Sequence, residues 1–244
     1  GELAAAFDDM AAHIEDAFAS QSRFVAAAAH ELRTPLTALR GSLDVLQRGS
    51  QDDPAASRRL MQGMQREIRR LSRLTEQLLT LTRLDAPQTL RREPVVLAAW
   101  LDEFAEQARL LAGERRLSIG PGPAVTLDVD PDLLTQALLN LLHNAVEHTP
   151  PDGRIAIEWA VRQGGVEISV TDDGEGIALD DQSRLFEAFY RGDRSRSRRQ
   201  GGSGLGLAIV AAVMRAHGGE VSALSSPGQG SRFALRFPAD SVVR

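Results

Sequence analysis

Apolar residues in the first third of the chain follow a helical rhythm. Leu3, Phe7, Met10, Ile14 and Ala17 alternate spacings of four and three, and the rhythm returns at Leu32, Leu36, Leu39, Leu43 and Leu46. Such spacings mark the seams of a coiled coil or helical bundle. Between the two runs the rhythm slips through Phe24, Ala28 and Leu32, which locally under- or overwinds a helix. Turn and capping residues at Gly49-Ser-Gln-Asp-Asp-Pro54 interrupt the pattern. A second helix carries Leu60 or Met61, Met64, Ile68, Leu71, Leu74, Leu78 and Leu81 along one side and should end near Pro87. The expectation is an antiparallel hairpin whose first helix, of about 45 residues, is about 67 Å long. Two such helices have little core of their own, so a second copy completing a four-helix bundle is the expected cover for the apolar stripe.

After about Arg91 the period changes. Val95 to Gly113 reads as a short strand followed by a helix containing Leu101, Phe104, Ala105 and Ala108. Short strands are expected near Leu117–Ile119 and Val125–Val129. Asp130-Pro131-Asp132 then opens a helix to about His148, with Asp130 as cap and Pro131 in its first turn. Ile155, Ile157, Trp159 and Val161 alternate, as do Val166, Ile168 and Val170, with Gln163-Gly164-Gly165 between them, which predicts a hairpin. Val221–Leu224 and Phe233–Phe237 form a last pair around Pro227-Gly228-Gln229-Gly230. The fold class is therefore multidomain: an all-α hairpin forming a dimeric four-helix bundle, then an α/β sandwich with a mixed sheet and helices on one face. No tandem repeat is evident.

Composition narrows the chemistry. Hydrophobic residues make up 43% and charged residues 25% of 244, an ordinary globular balance, and 28 Lys and Arg against 33 acids leave a net charge of −5. That charge does not suit a general nucleic-acid binder. The absence of cysteine removes disulfides, thiol catalysis and cysteine-based metal sites, and suits a reducing compartment. No apolar run reaches the length of a bilayer span, and the start does not read as a signal peptide.

The most unusual helical stretch is Ala29-His30-Glu31-Leu32-Arg33-Thr34-Pro35-Leu36. His30 lies two residues before Leu32, about 200° around the helix, and should point to solvent, with Thr34 a turn further along and Glu31 beside it. Neutral imidazole is a competent nucleophile near pH 7, and an adjacent carboxylate can orient it and accept its proton. The same residues also read as a surface His beside a surface Glu. A zinc-protease motif fails, because the fourth residue after His30 is Thr34. Pro35 removes a helical amide donor and predicts a kink.

In the second half, Asn140 and Asn144 share one helix face with Glu147 close behind. Amide oxygens suit a Mg2+ that already bears phosphate, although a polar face of an amphipathic helix looks the same. Val170-Thr171-Asp172-Asp173-Gly174-Glu175-Gly176-Ile177 puts a carboxylate at a strand end, then two glycines at alternate positions. Asp172 can accept from an exocyclic amine while Gly174 and Gly176 let a flat base approach; a tight turn explains them equally well locally. Five arginines between Arg191 and Arg199, in a polar stretch read as a mobile lid, precede Gly201-Gly202-Ser203-Gly204-Leu205-Gly206. These glycines bare amides at a helix start, an anion site that is neither a P-loop nor a dinucleotide fingerprint.

Ala29 to Gly41 resembles the H-box of sensor histidine kinases of two-component systems, and the later runs resemble that family's N-, G1-, F- and G2-boxes in order. The opening, Gly1 to Met10, is similar to the end of a HAMP relay module. The resemblance implies a HAMP-like remnant over 1–18, a dimerisation and phosphotransfer domain over 19–87, and an ATP-binding catalytic domain over 92–244. It implies that His30 is phosphorylated from ATP, with Glu31 assisting and Thr34 positioning water in the reverse, phosphatase direction. Implied nucleotide-binding positions are Asn140, Asn144, Asp172, Gly174, Gly176, Arg191, Gly202, Gly204, Leu205 and Gly206, with Asn144 on Mg2+. Glu147 stands where many relatives carry Lys or Arg, leaving His143 or the lid arginines to contact phosphate. The implied partners are a second copy and the receiver domain of a response regulator, with no nucleic acid. This fragment is expected to be cytoplasmic and free of the membrane, its parent anchored upstream at the inner face. The rival readings are a nucleotide-binding ATPase or ATP sensor on a helical signalling rod, and a non-catalytic scaffold. His13, His217, Trp100 and Trp159 are expected to be structural or surface residues.

Overall fold

A computed structural model describes residues 2–49, 53–84, 90–192 and 202–243. The chain divides into two compact units, Gly1–Leu78 and Leu79–Arg244.

The first unit is a helical hairpin. Helix α1 (Glu2–Gly49) runs 48 residues without interruption through Pro35, and α2 (Pro54–Leu84) runs 31. Asp53 caps α2: its Oδ1 accepts from the amides of Ala55 and Ala56 at 2.8 and 3.0 Å, with Pro54 in the first turn, where its missing N–H costs nothing. Pro35 and Leu74 are buried in the hairpin, and Phe24, Leu39 and Leu46 are half-buried.

The seam expected from Leu32 to Leu46 is divided. Leu39 and Leu46 are half-buried, whereas Leu36 is 55% and Leu43 45% exposed. At about 100° per residue these two rows stand about 60° apart around the axis, so α2 covers only one of them. Of the earlier run, Phe7 and Met10 are exposed; the side chains of Leu3, Ile14 and Ala17 lie outside the described residues.

The second unit begins with β1 (Glu93–Val96), α3 (Leu97–Ala112), β2 (Arg116–Ile119), β3 (Thr126–Val129) and α4 (Pro131–His148). There follow β4 (Arg154–Arg162), β5 (Gly165–Asp172), the short α5 (Leu179–Gln182), α6 (Gly206–Ala216), β6 (Glu220–Ser225), β7 (Ser231–Phe237) and β8 (Val242–Val243). The five-stranded sheet has the order β2-β4-β5-β7-β6 and is mixed: β2 lies parallel to β4 and the other pairs are antiparallel. The unit also has a second, smaller sheet. Strands β1 and β3 form a separate antiparallel pair, joined by β8. Periodicity identifies a strand but carries no information about its partner.

Alternation along the strands separates the two faces. Ile155, Ile157, Val166, Ile168, Val170, Phe233 and Leu235 are buried on the side of α4 and α6, with Leu138, Leu141, Ile209 and Val213. The opposite face carries an ion network: Glu167 takes Arg232 on one oxygen and Arg236 on the other, each at 2.9 Å. These guanidinium bonds hold the Glu167 carboxyl below its ordinary range. Asp172 ends β5 on the helix-covered side, which puts it beneath α4.

Candidate functional site

His30 is exposed on α1, as its distance from the seam predicts. Thr34, also exposed, donates its hydroxyl to the His30 carbonyl at 3.3 Å. Glu31 turns instead toward α2, where Arg70 Nη2 lies 3.4 Å from its Oε2. Residue spacing along α1 could not reveal that partner, since it depends on how the two helices align.

The remaining candidates lie in the second unit. Helix α4 is set by its cap: Asp130 Oδ1 accepts from the Leu133 amide at 3.2 Å, and its apolar side, Leu134, Leu138, Leu141 and Leu142, is fully buried. The polar side is thereby fixed in direction. Asn140 donates Nδ2 to the Gln136 carbonyl at 2.9 Å, leaving its Oδ1 3.3 Å from where a Cβ on Gly206 would stand. Asn144, one turn on, is half-buried. The Glu147 carboxylate comes 3.0 Å from the position of a Cβ on Gly202. The polar face of α4 therefore looks onto the glycine segment 202–206. His143 is exposed, its Nδ1 2.8 Å from the Leu139 carbonyl.

Asp172 is 4% exposed. Its Oδ1 accepts from the Gly174 amide at 2.9 Å, and the Ser231 amide also bonds it. Burial outweighs these bonds and pushes its carboxyl above the ordinary range. A buried acceptor held by two backbone amides keeps lone pairs for a ligand donor. Gly176 stands at φ 69°, where a Cβ would run into the Ser226 carbonyl oxygen. Just before it, Glu175 Oε1 pairs with His148 Nδ1 at 2.8 Å, tying the loop after β5 to the end of α4.

The glycine segment is braced from the other side. Phe189, itself at φ 64°, donates its amide to the Gly204 carbonyl at 2.9 Å. Gly204 has φ 70°, and a Cβ there would lie 2.9 Å from the Phe189 Cα. Ser203 Oγ accepts from the Leu205 amide at 3.2 Å, and buried Leu205 anchors the start of α6. Tyr190 donates its hydroxyl to Asp181 at 2.6 Å, with the Arg184 guanidinium 4.3 Å above its ring. Arg191 is half-buried. The arginine-rich lid expected from Arg194 to Arg199 lies outside the described residues.

Asn140 and Glu147 thus face the glycine segment, and the Gly174 turn after Asp172 lies against the end of the same helix. Oxygen acceptors, close backbone and a helix start combine there as a nucleotide requires. Residues 129–241 match the model of the family "Histidine kinase-, DNA gyrase B-, and HSP90-like ATPase", and residues 20–87 match "His Kinase A (phospho-acceptor) domain". The chain belongs to the sensor histidine kinases.

This sensor-kinase chain is 40% identical over 249 residues to the probable sensor histidine kinase TcrY of Mycobacterium tuberculosis, covering 98% of itself and 52% of that protein. Among solved structures, it resembles the mycobacterial sensor histidine kinase MprB at 30% identity and a TM-score of 0.54, over 60% of this chain and 97% of that one. It also resembles the Acinetobacter baumannii histidine kinase AdeS, at 25% identity and a TM-score of 0.70, over 86% and 98%. The chain spans about half the length of the curated relatives it matches. Among its described residues, no helix is long and apolar enough to cross a membrane.

Proposed function

We propose that this chain is the kinase core of a two-component sensor: it phosphorylates His30 from ATP and passes the phosphoryl group to an aspartate of a receiver domain. The observation that carries the reading is an exposed histidine beside a carboxylate on a helical hairpin, in one chain with an ATPase-like unit whose acceptors and glycines face one another. We assign 1–18 to a HAMP-like remnant, 19–87 to dimerisation and phosphotransfer, and 92–244 to ATP binding.

In this reading Asp172 accepts from the adenine amine, while Gly174 and Gly176 admit the base. Asn140, Arg191, Gly202, Gly204, Leu205 and Gly206 surround the phosphates. Among the described residues no cluster of three His, Asp or Glu side chains could hold a metal. By the family resemblance, the Asn144 amide oxygen would share a Mg2+ with phosphate oxygens, and that ion would neutralise charge on the transferring group. A neutral His30 nitrogen attacks the γ-phosphorus as the bond to the bridging oxygen breaks and its electron pair leaves with ADP. The imidazole N–H proton passes to Glu31. The product is an acid-labile phosphoramidate. Thr34 would serve the reverse, dephosphorylating direction.

The exposed apolar residues of the hairpin, Phe18, Val25, Leu36 and Leu43 on α1 with Met61 and Ile68 on α2, support a homodimer through a four-helix bundle. The HAMP-like start and the greater length of the relatives support a membrane-anchored parent with this core at the cytoplasmic face. The test is transfer of labelled γ-phosphate from Mg-ATP. Label that survives alkali, is lost in acid and is absent from His30→Gln supports the reading; tight ATP binding with no label overturns it in favour of an ATP sensor.

A further inference from the structure

Inside the hairpin, one residue from His30, a single guanidinium stands between two carboxylates. Arg70 Nη2 lies 3.4 Å from Glu31 Oε2, and Arg70 Nη1 lies 4.0 Å from Glu67 Oε2. Neither distance is that of a fully formed charge-assisted hydrogen bond, which closes to about 2.8 Å. The Glu67 Oε2 atom is buried and has no hydrogen-bond partner among the described residues. All three side chains keep only about a third or less of their surface in water, 29%, 26% and 33% for Arg70, Glu31 and Glu67. A buried carboxylate oxygen without a donor is costly, so Glu67 competes for the same cation.

We propose that Arg70 is a positioning residue that alternates between Glu31 and Glu67, and so sets whether the carboxylate beside His30 is free to take its proton. The inference rests on the reading that Glu31 is the proton acceptor. While Arg70 holds Glu31, a lone pair needed for the imidazole proton is directed into the hairpin instead. When Arg70 moves to Glu67, the buried oxygen gains its donor and Glu31 is released. The move is small, because Glu67 and Arg70 are three residues apart on one helix. Pro35 favours it from the other side: lacking an N–H, it leaves the Glu31 carbonyl without the usual helical donor, so α1 bends most readily at this turn.

Arg70 and Glu67 therefore act with opposite sign. In the full chain, Arg70→Gln should raise the maximal rate of His30 labelling by about two- to fivefold, the scale of a half-exposed ion pair, with the KM for ATP unchanged. Glu67→Gln, which removes the competitor, should lower it by a similar factor. Arg70→Lys keeps a cation and should stay near the parent rate. In a Glu31→Gln background, Arg70→Gln should have no further effect.

Shifts of the same sign for Arg70→Gln and Glu67→Gln, or an Arg70→Gln effect that persists without Glu31, would overturn the proposal. Where Arg70→Gln lowers the melting temperature of the hairpin, the isosteric Glu67→Gln decides by its sign alone. A parent chain that takes no label on His30 removes the underlying reading and the inference with it. Normal parent labelling with additive Glu31 and Arg70 effects removes only the inference.

Discussion

The buried imidazole of His217 accepts a hydrogen bond at Nε2 from the backbone amide of Asp130, 3.0 Å away, and its Nδ1 donates to the Val213 carbonyl at 2.8 Å. The ring is therefore neutral and in one tautomer, and it packs edge-on against Phe237. It ties the end of α6 to the cap of α4, the two helices whose other parts carry the glycine segment and Asn140.

Burial holds the His217 imidazole below its ordinary value of 6.5, against the nearby carboxylates of Asp130 and Asp128 and with the help of Arg92. The unfolded chain takes up this proton first, so the contribution is complete above about pH 6.5 and is lost as pH falls below it. Urea unfolding followed by Trp100 and Trp159, both in the second unit, should show stability rising with pH through this window, by at most about 1.4 kcal/mol per pH unit. In His217→Leu that slope should flatten, with a loss of about 1–3 kcal/mol at neutral pH for the orphaned Asp130 amide. An unchanged slope in the variant would assign the pH dependence elsewhere.

In the proposed reading, Asp172 trades stability for binding. Its carboxyl is raised by burial, so its ionised form at neutral pH costs folding energy that protonation would relieve as pH falls. Asp172→Asn keeps an acceptor for the Gly174 amide without the buried charge. Its melting temperature should rise or hold, while ATP binding weakens about tenfold or more, measurable by calorimetry.

Gly204 is confined by its backbone. At φ 70° and with the Phe189 backbone 2.9 Å from a would-be Cβ, Gly204→Ala must move either its own chain or Phe189. The expected outcome is a loss of about 1–3 kcal/mol and of most nucleotide binding. Gly41→Ala, on α1 with open space around it, should cost nothing and serves as the control.

The exposed row on α1 predicts the oligomer. Leu36→Glu with Leu43→Glu places charge on the uncovered stripe and leaves the half-buried Leu39 and Leu46 in the hairpin. Sedimentation should show a dimer for the parent chain and a monomer for the double variant, with the second unit's unfolding unchanged. A dimer that survives both charges would place the contact on another face.

The long helices, the β4–β5 hairpin and the Asp130 cap were legible because each rests on neighbours a few residues away. A turn such as Gln163-Gly164, both at positive φ, or an aspartate before Pro131, announces itself within one short window. The glycine and asparagine motifs were legible for a different reason: their order along the chain matches a family. Why Gly176 and Gly204 cannot carry a side chain was not legible, since the atoms that exclude it belong to Ser226 and Phe189.

The sequence by itself therefore determined most of the elements, though not the short α5 and β8, together with the exposed setting of His30 and the family to which the chain belongs. Tertiary structure alone decided that Glu31 faces Arg70, that His217 holds Asp130, that Leu36 and Leu39 part company, and that β1 and β3 leave the main sheet. Each of these depends on the alignment of segments far apart in the chain. A hydrophobic period fixes which side of an element is apolar, but not which distant polar atom will lie within 3 to 4 Å of another once those sides have met.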